Sequence, residues 1–112
     1  FVFELSSERS LFLAADSGGV SGYAVAWVGG AEAQVLSLAV HPASARRGTG
    51  RTLLQGLLER ARARGCSVAT LEVSERNAAA RHLYEAEGFQ ETGRRAGFYP
   101  DGSDAVLMDK AL

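Results

Sequence analysis

Three groups of residues in this chain are equipped for chemistry. The first is Arg46-Arg47-Gly48-Thr49-Gly50-Arg51. Glycines let backbone N–H groups crowd around a guest, a helix beginning there contributes the partial positive charge of its N-terminus, and three arginines add more, which together make a cradle for phosphate. It is not a Walker A loop, because no Lys-Ser/Thr pair follows the glycines. Nor does it complete the G-x-G-x-x-G fingerprint, because Leu53 stands at the last glycine position. A glycine-rich turn with solvated arginines fits the same residues. The second is Glu72, near the end of an otherwise apolar run, where a carboxylate at the C-terminal end of a strand would meet a ligand in an open α/β sheet. Facing solvent, it would pair with Arg76 or Arg81 instead. The third is Tyr84, between Leu83 and Phe89, either a core ring with a satisfied hydroxyl or a catalytic candidate. His41 and His82 have neither a nucleophile nor a third ligand beside them, and surface or capping roles suit them. Ser37 and Ser74 lack the G-x-S-x-G context of a nucleophile elbow.

The elements that position these residues follow from pattern. Leu11 to Asp16, Val20 to Val28 and Glu32 to Val40 read as strands joined at Ser17-Gly18-Gly19 and Gly29-Gly30, an antiparallel meander. Gly22 within the second strand marks a bulge or a close backbone approach. His41-Pro42 ends the block, and Ala43 to Arg47 is a loop. Leu53, Leu54, Leu57, Leu58 and Ala61 recur at helical spacing, so a helix runs from about Gly48 to Arg64 and stops at Gly65. Ser67 to Val73 is a strand, parallel to the third because a helix separates them. Asn77 caps a second helix with an apolar side of Ala79, Ala80, Leu83 and Ala86, ending at Gly88. Phe89 to Tyr99 and Asp104 to Leu112 are strands joined at Pro100-Asp101-Gly102. The order is β-β-β-α-β-α-β-β, an α/β (α+β) class with a mixed sheet.

Size and charge narrow the function. With 112 residues, 46% of them hydrophobic, the chain suits a single domain spanning residues 1–112 that buries roughly two-thirds of its unfolded surface. The net charge of −1 makes nucleic acid a poor partner. One cysteine, Cys66, excludes disulfide frameworks and multi-cysteine zinc sites; it reads as a core filler in a reducing compartment. No apolar run reaches the length of a membrane span and no leader opens the chain, so a cytoplasmic setting without a membrane partner is expected. The apolar cluster Phe1, Val2, Phe3, Leu5 reads as the tail of a preceding element.

From Leu36 to Phe89 the sequence resembles the GNAT superfamily of acetyl-CoA-dependent N-acetyltransferases. Within it, Leu71-Glu72-Val73, Asn77-Ala78-Ala79-Ala80, Leu83-Tyr84-Glu85 and Gly88-Phe89 are most similar to the ribosomal-protein N-terminal alanine acetyltransferases of RimI type. The resemblance implies a mostly antiparallel mixed sheet with a central splayed parallel pair flanked by helices. It implies acetyl-CoA as co-substrate, with no metal, and a protein or peptide N-terminus as acceptor. Leu38, Ala39 and Val40 would offer backbone groups to the pantetheine arm and thioester. Arg46, Arg47, Gly48, Thr49, Gly50 and Arg51 would hold the pyrophosphate, and Asn77 would contact the cofactor near its thiol. Glu72 would be the general base and Tyr84 the general acid, with Arg95, Gly97, Phe98 and Tyr99 lining the peptide channel.

The sequence departs from the family pattern in three ways. Ala45 replaces a Gln or Arg before the glycine stretch, Phe98 replaces a common tyrosine, and the strand and helices that precede the meander in relatives are not represented. An α-amine of pKa about 7.7–8.0 is partly neutral at pH 7, whereas a lysine at about 10.4 is almost never so, and an α-amine thus asks little of a base. A lysine or small-molecule amine acceptor, a non-catalytic acetyl-CoA-binding module, and RNA binding through Arg46, Arg47, Arg51, Arg62 and Arg64 are the alternatives.

Overall fold

The computed structural model describes residues 2–16, 20–42 and 48–112. Seven strands form one sheet in the order β1-β2-β3-β4-β5-β7-β6. They are β1 (Val2–Glu4), β2 (Ser10–Asp16), β3 (Val20–Gly29), β4 (Glu32–Val40), β5 (Val68–Ser74), β6 (Gln90–Arg95) and β7 (Ala105–Ala111), with helix α1 (Thr49–Ala63) between β4 and β5 and α2 (Ala78–Ala86) between β5 and β6. Every neighbouring pair is antiparallel except β4 and β5, which run parallel across the α1 crossover. The expected order is reproduced, with the three-residue strand β1 added in front. Its brevity hides it from pattern reading. It pairs with β2 from Val2–Ala15 to Glu4–Leu13, and Arg60 of α1 holds Glu4 at 2.8 Å with Arg64 3.9 Å from the same carboxylate.

One sheet face carries the core. Leu11 and Leu13 of β2, Ala24 and Ala26 of β3, and Ala69, Leu71 and Val73 of β5 meet Leu53, Leu54, Leu57, Leu58 and Ala61 of α1, together with Cys66, Tyr84 and Phe89. The i, i+4 spacing of the α1 leucines puts one apolar stripe on the sheet, and each buried leucine contributes about 1.5–3 kcal/mol. Both helices end alike. Gly65 (φ 89°) and Gly88 (φ 94°) adopt the left-handed conformation. The N–H of the following residue reaches back, Cys66 to Ala61 and Phe89 to Tyr84, each at 3.0 Å, which satisfies carbonyls that the helix leaves open.

Two irregularities matter for the site. In the β3–β4 ladder, Val25 pairs with Ser37 but Ala26 pairs with Val35, so Leu36 is an extra residue bulging from β4. Side-chain parity flips there. Ala33 and Val35 face the core, and beyond the bulge Leu38 and Val40, opposite Ala24 and Gly22, face it too. Gly22 proves to be a close approach: a Cβ there would sit 2.8 Å from the Ala39 carbonyl oxygen and 3.0 Å from Leu53 Cδ1. The adjacent bulge is at Ser21, unpaired between Ala15–Gly22 and Asp16–Val20. Gly22→Ala is therefore expected to destabilise the fold by about 1–3 kcal/mol through overpacking, read as a lower urea midpoint.

The sequence expectation of a strand through Tyr99 is corrected. β6 stops at Arg95, and Phe98 and Tyr99 belong to the loop before β7. Gly97 turns with φ 60° and donates its N–H to Asp104 Oδ1 at 3.0 Å, while the Tyr99 N–H bonds to the Ser103 carbonyl at 3.2 Å. These bonds curl the chain onto itself and end the ladder. The Ser17-Gly18-Gly19 turn and the Ala43 to Arg47 loop lie outside the described residues.

Candidate active site

The parallel pair holds β4 and β5 together from Glu32–Val68 to Val35–Leu71 and no further. Beyond it, the backbone groups of residues 36–40 on that side have no β5 partner. This opening coincides with the Leu36 bulge, so the strand splits from its neighbour where its parity changes.

On the helix side lies a cleft of about 440 Å³ lined by Leu38, Val40, Gly48–Arg51, Ala79, Ala80, Leu83 and Tyr84. Gly48 precedes α1 with φ 77°, no side chain caps the helix, and no acidic residue stands in its first turn. The leading amides thus have no carboxylate competing for them. Among the described residues nothing lies within 4 Å of a Cβ built on Gly48, whereas one on Gly50 would meet Leu83 Cδ2 and Val40 Cγ2 at 3.5 Å. Gly48 is required by its backbone angle and not by space, whereas a Cβ at 50 would make ordinary van der Waals contact where α1, α2 and β4 converge. Arg51 extends to the end of α2, where its Nε lies 3.1 Å from a carboxylate oxygen of the buried Glu87. Lys110 Nζ donates to the Glu87 carbonyl. Arg46 and Arg47 lie outside the described residues.

Tyr84 is 8% exposed, its ring edge-to-face with Phe89 at 5.8 Å. Burial pushes its hydroxyl above the usual tyrosine range, because the charged phenolate loses water there. The hydroxyl bonds to no other described residue.

The opposite sheet face carries the remaining residues. Alternation along β5 turns Leu71 and Val73 to the core and Glu72 away from it. Glu72 Oε1 lies 3.2 Å from Arg95 Nη2, so its partner is Arg95 and not Arg76 or Arg81. The Arg95 guanidinium sits 5.5 Å from the Phe98 ring centre, and Phe98 meets Tyr99 edge-to-face at 5.1 Å. Glu72 also borders a groove of about 260 Å³ with Gln34, Thr70, Thr92, Leu107 and Asp109.

The sequence-derived residues thus divide in two. Leu38, Val40, Gly48, Thr49, Gly50, Arg51 and Tyr84 surround one cleft; Glu72, Arg95, Phe98 and Tyr99 gather on the other face. Ala39 points away from the cleft, opposite Tyr23, and Asn77 caps α2, its Oδ1 accepting the Ala80 N–H at 3.2 Å. Of the expected apolar side of α2, Ala80 and Leu83 pack against the core and also line the cleft, whereas Ala79 is exposed in the cleft wall and Ala86 is exposed; Tyr84 is the buried residue of that helix. Glu87 was not anticipated; its only sequence signal is a carboxylate just before the terminating Gly88. Among the described residues no group of three His, Cys, Asp or Glu side chains could hold a metal, and no helix is long and apolar enough to cross a membrane.

The sheet thus opens at a parallel pair, with a helix N-terminus and a phenol on one side of the gap and a carboxylate on the other. Residues 2–89 match the Acetyltransferase (GNAT) family, and the chain belongs to that family. It is 40% identical over 105 residues to the ribosomal protein bS18-alanine N-acetyltransferase of Escherichia coli (strain K12), covering 90% of this chain and 71% of the relative. It is 40% identical over 111 residues to the N-alpha-acetyltransferase RimI of Mycobacterium tuberculosis, covering 94% of this chain and 68% of the relative. The crystal structure of the ribosomal-protein-S18-alanine N-acetyltransferase from Escherichia coli superposes with a TM-score of 0.88 at 37% identity, over 96% of this chain and 72% of that one.

Proposed function

We propose that the protein transfers an acetyl group from acetyl-CoA to the N-terminal α-amine of a protein, with the alanine N-terminus of a ribosomal protein of S18 type as acceptor. The observation that carries this reading is the cleft where the unpaired end of β4, the uncapped start of α1 and Tyr84 converge. Its chemistry fits acetyl-CoA: apolar walls for the pantetheine arm and the helix-leading amides of Gly48–Arg51, which no described side chain caps, for phosphate, with Arg46, Arg47 and Asn77 in the family's further contact positions. Arg51, tied to Glu87, braces the two walls as much as it adds charge.

Acetyl-CoA supplies an activated acyl group. Glu72 takes the proton of the acceptor amine, directly or through one water, from the face that Arg95, Phe98 and Tyr99 border. The β5-facing amides of residues 36–40 polarise the carbonyl, a contribution of about 3 kcal/mol in comparable sites. Tyr84 donates a hydrogen bond to the departing sulfur. A tyrosine near 10 is already about 1.5 units above a thiol near 8.5, and burial raises Tyr84 further, so donation of a hydrogen bond describes its role better than full proton transfer. A single domain over residues 1–112, a cytoplasmic setting and no membrane or nucleic-acid partner go with this acceptor.

The test is an assay of two peptides, one with a free N-terminal alanine and no lysine, the other blocked at its N-terminus and carrying one lysine. Acetylation of the first alone is expected. Acetylation of the second points to a side-chain or small-molecule amine, and acetyl-CoA binding without any turnover points to a binding module.

A further inference from the structure

We propose that Arg95 is a positioning residue: anchored on the Phe98 ring, its guanidinium holds one carboxylate oxygen of Glu72 and leaves the other for the acceptor amine. This inference rests on Glu72 being the base. Arg95, Gly93 and Leu107 share the open sheet face with Glu72, since Gly93 and Leu107 are paired, as are Leu107 and Glu72. The contact is made by one nitrogen to one oxygen, Nη2 to Oε1 at 3.2 Å. Oε2 has no hydrogen-bond or ion-pair partner among the described residues.

The neighbouring cations are committed elsewhere. Arg94 pairs with Glu91 at 3.1 Å and with Asp104 at 3.8 Å, Arg76 with Asp101 at 3.4 Å, and Arg81 donates to the Glu75 carbonyl at 3.2 Å. Among the described residues Arg95 is thus the one cation on Glu72. Its other flank rests on Phe98, 5.5 Å from the ring centre, and that ring abuts Tyr99, whose N–H is fixed to Ser103. A relay runs from the loop between β6 and β7 through Phe98 and Arg95 to the base. A glutamate on three rotatable bonds, otherwise unheld, acquires a preferred aim from it, and small errors in such an aim are costly to a rate.

Kinetics of four variants on the free-alanine peptide test this, with Glu72→Gln as reference. Arg95→Gln is expected to lower kcat about tenfold with the acetyl-CoA affinity and melting temperature unchanged, and Arg95→Lys to recover most of the loss. Phe98→Leu lowers kcat less than Arg95→Gln, and the double variant is no worse than Arg95→Gln alone, because Phe98 acts through Arg95. Wild-type kcat in Arg95→Gln while Glu72→Gln is inactive overturns the inference and spares the base assignment. Losses that multiply in the double variant overturn the relay. Wild-type kcat in Glu72→Gln overturns the base assignment and the inference together.

Discussion

Glu72→Gln lowers kcat for the free-alanine peptide by about 10²–10⁴ and leaves acetyl-CoA affinity unchanged. Glutamine keeps the shape of the side chain but cannot take a proton. The substitution also stays clear of the cleft around Tyr84, because β5 turns Glu72 away from the core face that Leu71 and Val73 share with the helices. Folding tolerates it: the pair with Arg95 is partly exposed on both sides, 57% for Arg95 and 29% for Glu72, and such pairs contribute about 0–1 kcal/mol. kcat and kcat/KM fall together, the signature of an interaction made only in the transition state. Raising the pH from 7 to 9 recovers part of the loss, since an α-amine of pKa about 7.7–8.0 then arrives neutral. A kcat within threefold of wild type at pH 7 removes Glu72 from the role of base.

Tyr84→Phe lowers kcat by roughly 10², the lower end for removal of one hydrogen-bond donor from developing negative charge, since sulfur accepts less strongly than oxygen. The ring still packs edge-to-face on Phe89, and the hydroxyl bonds to no described residue, so affinity for acetyl-CoA and stability at pH 7 both hold. Titration gives a second check. Burial raises the native Tyr84 above its ordinary value near 10. Below about pH 10 the folded and unfolded chains both carry the proton, and stability does not respond to this group. Above it the unfolded chain ionises first, so stability falls with rising pH until the native hydroxyl ionises in turn. Urea unfolding at pH 9 and pH 11 shows a steeper decline in wild type than in Tyr84→Phe, and wild-type turnover shows no alkaline loss from Tyr84 before pH 10. Equal declines, or an unchanged kcat, remove the hydroxyl from this account.

Most of the fold was legible because its signals are local. The leucines of α1 recur at one spacing, Gly65 and Gly88 stop two helices by one mechanism, and a helix between two strands forces the β4–β5 pair to be parallel. What escaped depends on contacts distant in sequence. The Glu4 end of β1 meets Arg60 and Arg64 across more than fifty residues, and β6 ends at Arg95 because the Asp104 carboxylate captures the Gly97 amide. The candidate site was legible as residue types but not as two faces. Period-two alternation places Glu72 opposite Leu71 and Val73, yet which face the helices cover is a tertiary fact. Its partner Arg95 lies 23 positions on, as the numbering shows, beyond any local pairing rule. Ala79 reads as a packing residue yet is exposed, because small side chains suit a tight interface as well as the wall of a cleft.

The Leu36 bulge makes β4 a counted segment. In a regular strand a residue can be exchanged for another of like character with little consequence, and a shift of register turns every side chain over. Here the strand is two half-strands of opposite phase, joined by one supernumerary residue. The identity of that residue matters little, since Leu36 is 47% exposed, but its presence decides which way Leu38 and Val40 point. Substitution at position 36 is therefore tolerated, whereas adding or removing one residue between Val35 and Leu38 turns Leu38 and Val40 away from the cleft. Length, more than composition, sets the aim of the strand that borders the cleft.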